Sequence, residues 1–218
     1  MEFPTKNNYI YENLKDEIVE GKRRPGERIA IPEVAKRYNV SGMPVREALN
    51  RLHQDGLIEI VPHVGARVMN FDMDKFKEIM MIRIALEALA AKMSTPYIND
   101  ETKVKLEELH QEMIRCAESG QYSKYSKLNK EFHQIIYSAG PYPLLSEMIG
   151  SLWTKSEFSR NIFGRFPERV KVSIEQHKRL LEAIKNGDAD KAHEVVCEQN
   201  DSAYEMILAV SKEIEQSK

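Results

Sequence analysis

The sequence predicts a mainly α protein in two parts: an N-terminal unit of three helices closed by a hairpin, and an all-helical bundle of about six helices. Three observations predict it. Apolar residues recur at helical spacing through most of the 218 residues, strand-like patterning is confined to residues 57–68, and turn residues divide the chain after residue 71 into six helix-length segments. An apolar share of 42%, with 10 Gly and 9 Pro, excludes a wholly disordered or collagen-like chain. The apolar stretches near Ile79 and Leu86 are cut by Arg83 and Glu87, and the opening MEFPTKNNYI lacks an apolar core behind a basic flank. Neither a membrane span nor a secretory signal is expected. Two cysteines, Cys116 and Cys197, cannot build a disulfide framework, so a cytoplasmic location is the default expectation.

The first part, residues 1–70, is justified element by element. From Tyr9 to Glu20, Ile10, Leu14 and Ile18 fall on one helical face, and Gly21 with Arg24-Pro25-Gly26 stops the pattern. Pro32 suits the first turn of a short helix through Lys36, and Tyr38-Asn39 supply a turn. Ser41 is placed to cap a third helix that tolerates Pro44 in its first turn and runs to about Asp55. Along it Val45, Ala48, Leu49 and Leu52 form one stripe and leave Arg46, Asn50 and Arg51 toward the other side. Leu57 to Val61 and Ala66 to Val68 then flank Pro62-His63-Val64-Gly65 as a hairpin. Two short helices joined by a tight turn and followed by a hairpin are the parts of a winged helix-turn-helix, whose second helix enters the major groove.

Charge agrees with that order. The chain as a whole carries a formal charge of -2, yet between Lys22 and Arg51 there are eight basic residues and three acids. Such a surplus is a candidate surface for a polyanion. The segment PGERIAIPEVAKRYNVSGMPVREALNRLHQDGLIEIVPHVGARV resembles the DNA-binding domain of the GntR family of bacterial transcriptional regulators. The resemblance rests on Pro25-Gly26-Glu27-Arg28, Val40-Ser41, Pro44 through Leu49, Asp55-Gly56-Leu57 and Gly65. It implies contacts to double-stranded DNA from Arg28, Ser41, Arg46, Arg51, His63 and Gly65, with Pro44 at the start of the reading helix. Where the family usually has Arg-Thr, this chain has Gly42-Met43, which implies a different operator preference.

The second part, residues 71–218, breaks at Ser94-Thr95-Pro96, Glu118-Ser119-Gly120, Gly140 to Pro143, Gly164 to Pro167 and Asn186-Gly187-Asp188. Helices are expected at about 72–93, 100–118, 121–138, 143–162, 167–185 and 188–214. This half resembles the helical FCD domain of the FadR branch of the same family. The pieces are Arg83 through Glu87, Asn129-Lys130-Glu131-Phe132-His133 with Ser138-Ala139-Gly140, and Glu175-Gln176-His177 with Ala183 through Asp188. In relatives the positions of Asn129, His133 and His177 join a third histidine to hold a divalent metal such as zinc, nickel or manganese. Here that third position is Gln199, a weaker neutral donor toward such metals. A three-ligand site and a metal-free polar pocket both stay open.

Arg83 lies in an otherwise apolar helix. The resemblance gives it a role in binding an organic acid, while Glu87, one turn on, could equally pair with it. Arg160 and Arg165 are weaker candidates of the same kind. Met69, Met73, Met80 and Met81 read as core and interface packing, Cys116 as a small buried hydrophobe, and Trp153 as packing near the cavity. Together these readings describe a homodimeric transcription factor, most simply a repressor, whose hold on an operator is set by a small carboxylate bound among Arg83, Asn129, His133, His177 and Gln199. A metal-dependent hydrolase would use the same histidines, but no acid or base stands at a required spacing, and the first part would have no role.

Overall fold

The computed structural model describes residues 6–19, 21–61, 65–69, 72–156 and 167–216, and divides into two compact units, Met1–Asp72 and Met73–Lys218.

In the first unit, α1 (Lys6–Val19), α2 (Ile31–Tyr38) and α3 (Gly42–Gln54) pack with β1 (Arg28–Ile29), β2 (Ile58–Val61) and β3 (Gly65–Val68). The helical stripes expected of α1 and α3 are the buried ones: Ile10, Leu14 and Ile18 meet Val45, Ala48, Leu49 and Leu52. Val34 of α2 and Ile29, Ile58, Ala66 and Val68 of the sheet complete this core. The sheet is antiparallel in the order β1-β3-β2, so β3 is central, paired Ile58 with Val68 on one side and Arg28 with Arg67 on the other. The sequence gives no warning of β1. Its two residues are too few to show alternation, and they form a strand because β3 offers them a partner. The turn between α2 and α3 is made by Asn39, whose φ of 49° is left-handed and lets its N–H reach back to the end of α2. Ser41 occupies the N-cap of α3, but its side chain makes no capping hydrogen bond, which corrects the role expected of it.

Two of the eight basic residues counted toward a polyanion surface are neutralised inside this unit. Glu17 of α1 accepts from Arg23 at 2.8 Å and from Arg37 at 2.6 Å. Arg23 is buried and also bonds Glu27 at 3.0 Å, so these charges tie α1, the following turn and α2 together.

The second unit holds α4 (Met73–Ser94), a 3-10 turn (Thr95–Tyr97), α5 (Asp100–Glu118), α6 (Tyr122–Ser138), α7 (Pro143–Lys155), α8 (Pro167–Lys185) and α9 (Ala189–Gln216). Five of the expected helix ends are off by a residue or two. Helix α7 ends at Lys155, short of the expected 162, and residues 157–166 lie outside the described ones. Asn99 caps α5 by accepting the Thr102 N–H at 2.8 Å, and the Asp188 carboxylate accepts the Lys191 N–H at 2.9 Å at the start of α9. The core joins Leu106 and Met113 of α5, Phe132 and Ile136 of α6, Leu180 and Ile184 of α8, and Val195 and Val196 of α9. Cys116 is buried there as a small apolar side chain. Helix α4 packs against α6, α7 and α9 and carries polar side chains into the interior, with Arg83 and Glu87 both buried. Among the described residues no helix is long and apolar enough to cross a membrane.

Candidate functional site

The first unit leaves several arginines exposed. On α3, Arg46 and Asn50 are one turn apart and exposed, and Met43 near the N-terminus of the helix is 69% exposed. Arg28 and Arg67 are cross-strand neighbours, both exposed, with Glu59 opposite Arg67 on its other side. Sequence reasoning singled out Arg28 and missed Arg67; the missing signal was β1, without which the two cannot be aligned. Among the described residues the side chains of Arg28, Arg46 and Arg67 make no ion pair or hydrogen bond, which leaves them available to phosphates or bases. Arg51 differs, because its guanidinium stacks 3.9 Å from the Tyr11 ring centroid and donates to Asn8 at 2.9 Å. Glu47 is held by Asn7 at 2.7 Å. Gly65 has φ of 107°, a conformation that L side chains resist, and so belongs to the turn of the hairpin. Gly42 is not sterically required, since a methyl there would meet Ile31 at an ordinary 3.5 Å. His63 lies outside the described residues, as do Arg160 and Arg165.

The second unit holds a partly open cavity of about 90 Å³, bordered by Arg83, Asn129, His133, His177 and Gln199. Five residues from four different helices, chosen on sequence, thus meet in one place. The arrangement grows from helical spacing: Asn129 and His133 are one turn apart on α6, and Arg169, Ser173 and His177 follow one another at intervals of four on α8. Those intervals were visible in the sequence, yet only His177 was picked out of the series. Trp153 borders the cavity, whereas His193 and Cys197, which stand 3.9 Å from each other, do not.

Glu87 organises the polar interior. Its carboxylate accepts from Arg83 Nε at 2.7 Å, Trp153 Nε1 at 2.8 Å, Tyr137 Oη at 3.1 Å and Asn200 Nδ2 at 3.2 Å. Of the two readings of Arg83, the geometry realises the internal pair: its charge is met by Glu87, and Nη1 donates to Ser156 at 2.9 Å while the side chain still borders the cavity.

The histidines are best understood by counting protons. His177 Nδ1 faces the Ser173 carbonyl oxygen at 2.5 Å, and a carbonyl can only accept, so Nδ1 carries the proton and Nε2 is bare. Tyr137 donates to Glu87, so at its 3.1 Å contact with His133 the imidazole Nδ1–H donates and the phenol oxygen accepts. That leaves His133 Nε2 bare as well, facing His177 Nε2 at 3.1 Å. The chain from Glu87 to Ser173 therefore contains four contacts and three protons. A fourth proton is disfavoured, because burial and then Arg83 hold His133 down at about 3, and burial and then His133 hold His177 well below the usual imidazole range. Two neutral imidazoles with bare Nε2 atoms converging, each braced through Nδ1, are what a divalent cation needs from two of its ligands. Among the described residues no group of three or more His, Cys, Asp or Glu side chains is gathered to hold a metal. Further donors would have to come from neutral amides, Asn129 or Gln199, both on the cavity wall.

Sequence reasoning missed Arg169 and Asn200. Arg169 is buried and donates to Gln176 Oε1 and to the Gln199 backbone oxygen, each at 3.0 Å.

Comparison with known proteins gives these two units a context. Residues 6–68 match the family described as bacterial regulatory proteins, gntR family, and residues 78–199 match the FCD domain. The chain is 27% identical over 208 residues to the HTH-type transcriptional repressor RspR of Escherichia coli (strain K12), spanning 95% of this chain and 91% of that one. It is 28% identical over 187 residues to the HTH-type transcriptional regulator YdhC of Bacillus subtilis (strain 168), spanning 84% of each. The solved structure of E. coli McbR/YncC has the same fold, with a TM-score of 0.80 at 24% identity over 99% of this chain and 100% of that one. These families and relatives are transcriptional regulators and not enzymes. The chain belongs to the gntR family of bacterial regulatory proteins and carries an FCD domain: it is a DNA-binding transcriptional regulator.

Proposed function

We propose that this regulator is a repressor that acts as a homodimer in the cytoplasm and that releases or reshapes its hold on an operator when a small carboxylate, with a divalent cation, occupies the cavity of the helical unit. The observation that carries the reading is the buried pair of bare imidazole nitrogens, His133 and His177, in a polar cavity of a protein whose other unit binds DNA. Repression agrees with the name given to RspR. Dimerisation is supported by exposed apolar side chains on two helices that pack together, Met81, Ile82 and Leu89 on α4 and Leu144 and Met148 on α7. Two copies related by a two-fold axis would address two half-sites with their α3 helices.

When bound, the cation would supply positive charge for an acidic ligand; His133 and His177 would hold it, with Asn129 as the amide donor at hand. The chain's own residues do the rest. Ser173 and Tyr137 fix the imidazole orientations, and Glu87 keeps Arg83 neutralised and in place. Occupancy regulates by favouring one arrangement of the two units over another.

Selection from a random duplex library, followed by anisotropy titration of the selected sequence, tests the DNA half of this reading. The expected result is an approximately palindromic sequence whose affinity falls about fivefold or more in Arg46→Ala, from loss of about 1–3 kcal/mol of base discrimination. An Arg46→Ala protein with unchanged affinity and selectivity would remove Arg46 from the interface.

A further inference from the structure

The two buried arginines of the cavity wall differ in one respect. Arg83 faces an acid, Glu87, whereas Arg169 is bonded only to neutral oxygens, Gln176 Oε1 and the backbone oxygen of Gln199. Its Nε is buried with no hydrogen-bond partner among the described residues, and the same is true of both side-chain amide atoms of Gln199, a residue 7% exposed. Three orphaned polar atoms, one of them on a cation with no anion beside it, therefore belong to two residues that border a single cavity. Buried polar atoms are ordinarily paired, and a buried charge is paired or costly, so orphans gathered at a cavity mark where a ligand supplies the missing partners.

The geometry points to Arg169 and Gln199 as the subsite for a small carboxylate that carries a hydroxyl or amino donor on the carbon next to its carboxyl group. This rests on the reading that the cavity binds an acidic effector, and it assigns the acid to α8 and α9 instead of to Arg83. The carboxylate supplies the negative charge that Arg169 lacks and accepts from Arg169 Nε and Gln199 Nε2. Gln199 Oε1 then still requires a donor. A plain fatty acid has none, and an adjacent hydroxyl or amine does. The space fits a ligand of that size: about 90 Å³ against about 10–15 Å³ for one water-sized site leaves roughly six to nine such positions. The glutamine that weakens the metal site thereby acquires a purpose, since an amide offers both a donor and an acceptor to the ligand.

The test is calorimetric titration and melting of the full-length protein, chelated and zinc-loaded, with three probes: 2-hydroxybutyrate, butyrate and 2-hydroxybutyramide. The expected result is that 2-hydroxybutyrate binds about tenfold or more tightly than either of the others, one hydrogen bond or one charge apart. Gln199→Leu should bring the two acids within about twofold of each other, and Arg169→Gln should remove the preference for acid over amide. Arg169 also braces its neighbours; if Arg169→Gln does not fold, Gln199→Leu carries the test. Equal binding of all three probes, or the wild-type preference surviving in Gln199→Leu, overturns the assignment. Acid binding that is lost in Arg83→Met but kept in Gln199→Leu and Arg169→Gln overturns the subsite while leaving acid control of the regulator standing. Absence of any heat or melting shift, with duplex binding intact, overturns the subsite and the acidic effector together, and leaves the DNA-binding role.

Discussion

Glu87 is 1% exposed and accepts four hydrogen bonds, so its removal leaves Arg83 as a buried charge without a counterion. Breaking a buried pair on one side costs about 3–5 kcal/mol. Glu87→Gln should therefore lower the melting temperature by about 10 °C, at a few degrees per kcal/mol for a protein of this size. Replacing both members, Arg83→Met with Glu87→Met, should recover part of that loss; a Glu87→Gln protein melting within a degree of wild type would show that the pair is dispensable. The buried imidazoles make a second demand. Folded His133 is held at about 3 by burial and then by Arg83, against 6.5 unperturbed. Below pH 6.5 the unfolded chain binds the extra proton, so this group's contribution is complete above that pH and declines toward the folded value. At pH 5 the loss is about 2 kcal/mol. Chelated protein should melt progressively lower from pH 7 to pH 5, and His133→Gln should flatten that profile. The histidines were legible through the resemblance to the FCD domain, to which helical spacing adds only that Asn129 and His133 share one face. Arg169 was not, because an arginine in a helix reads as surface until its neighbours on α9 are known.

At the scale of elements, the amphipathic helices were the legible part. The buried stripes of α1 and α3 follow directly from where Ile10, Leu14, Val45 and Leu49 fall in the sequence. Helix α4 was harder, since it carries apolar side chains on its exposed as well as its buried side and polar ones inside. Strand β1 was invisible because its existence depends on β3, and with it went the pairing of Arg28 with Arg67. That pair now makes a separate prediction. Arg28→Ala and Arg67→Ala should weaken binding to selected and random duplexes alike, each reducing the slope of log affinity against log salt by about one, as phosphate contacts do. A loss confined to the selected sequence would instead place these arginines on base edges.

For the whole molecule, the composition suggested a DNA-binding face, but its size had to be corrected by structure, since Arg23 and Arg37 are consumed by Glu17. Self-association is the next test at this scale: Leu89→Asp with Met148→Asp should convert a dimer to a monomer in sedimentation velocity without lowering helicity. A dimer that persists would move the interface away from α4 and α7. The account stands most directly on coupling between its two units. Allosteric control requires that ligand and duplex change each other's affinity by the same factor. The measurement is the dissociation constant of the selected duplex with and without zinc and 2-hydroxybutyrate, paired with that of 2-hydroxybutyrate with and without saturating duplex. The prediction is an equal factor in both directions, about fivefold or more, abolished by His133→Ala. Duplex affinity that does not change while 2-hydroxybutyrate occupies the cavity would contradict it.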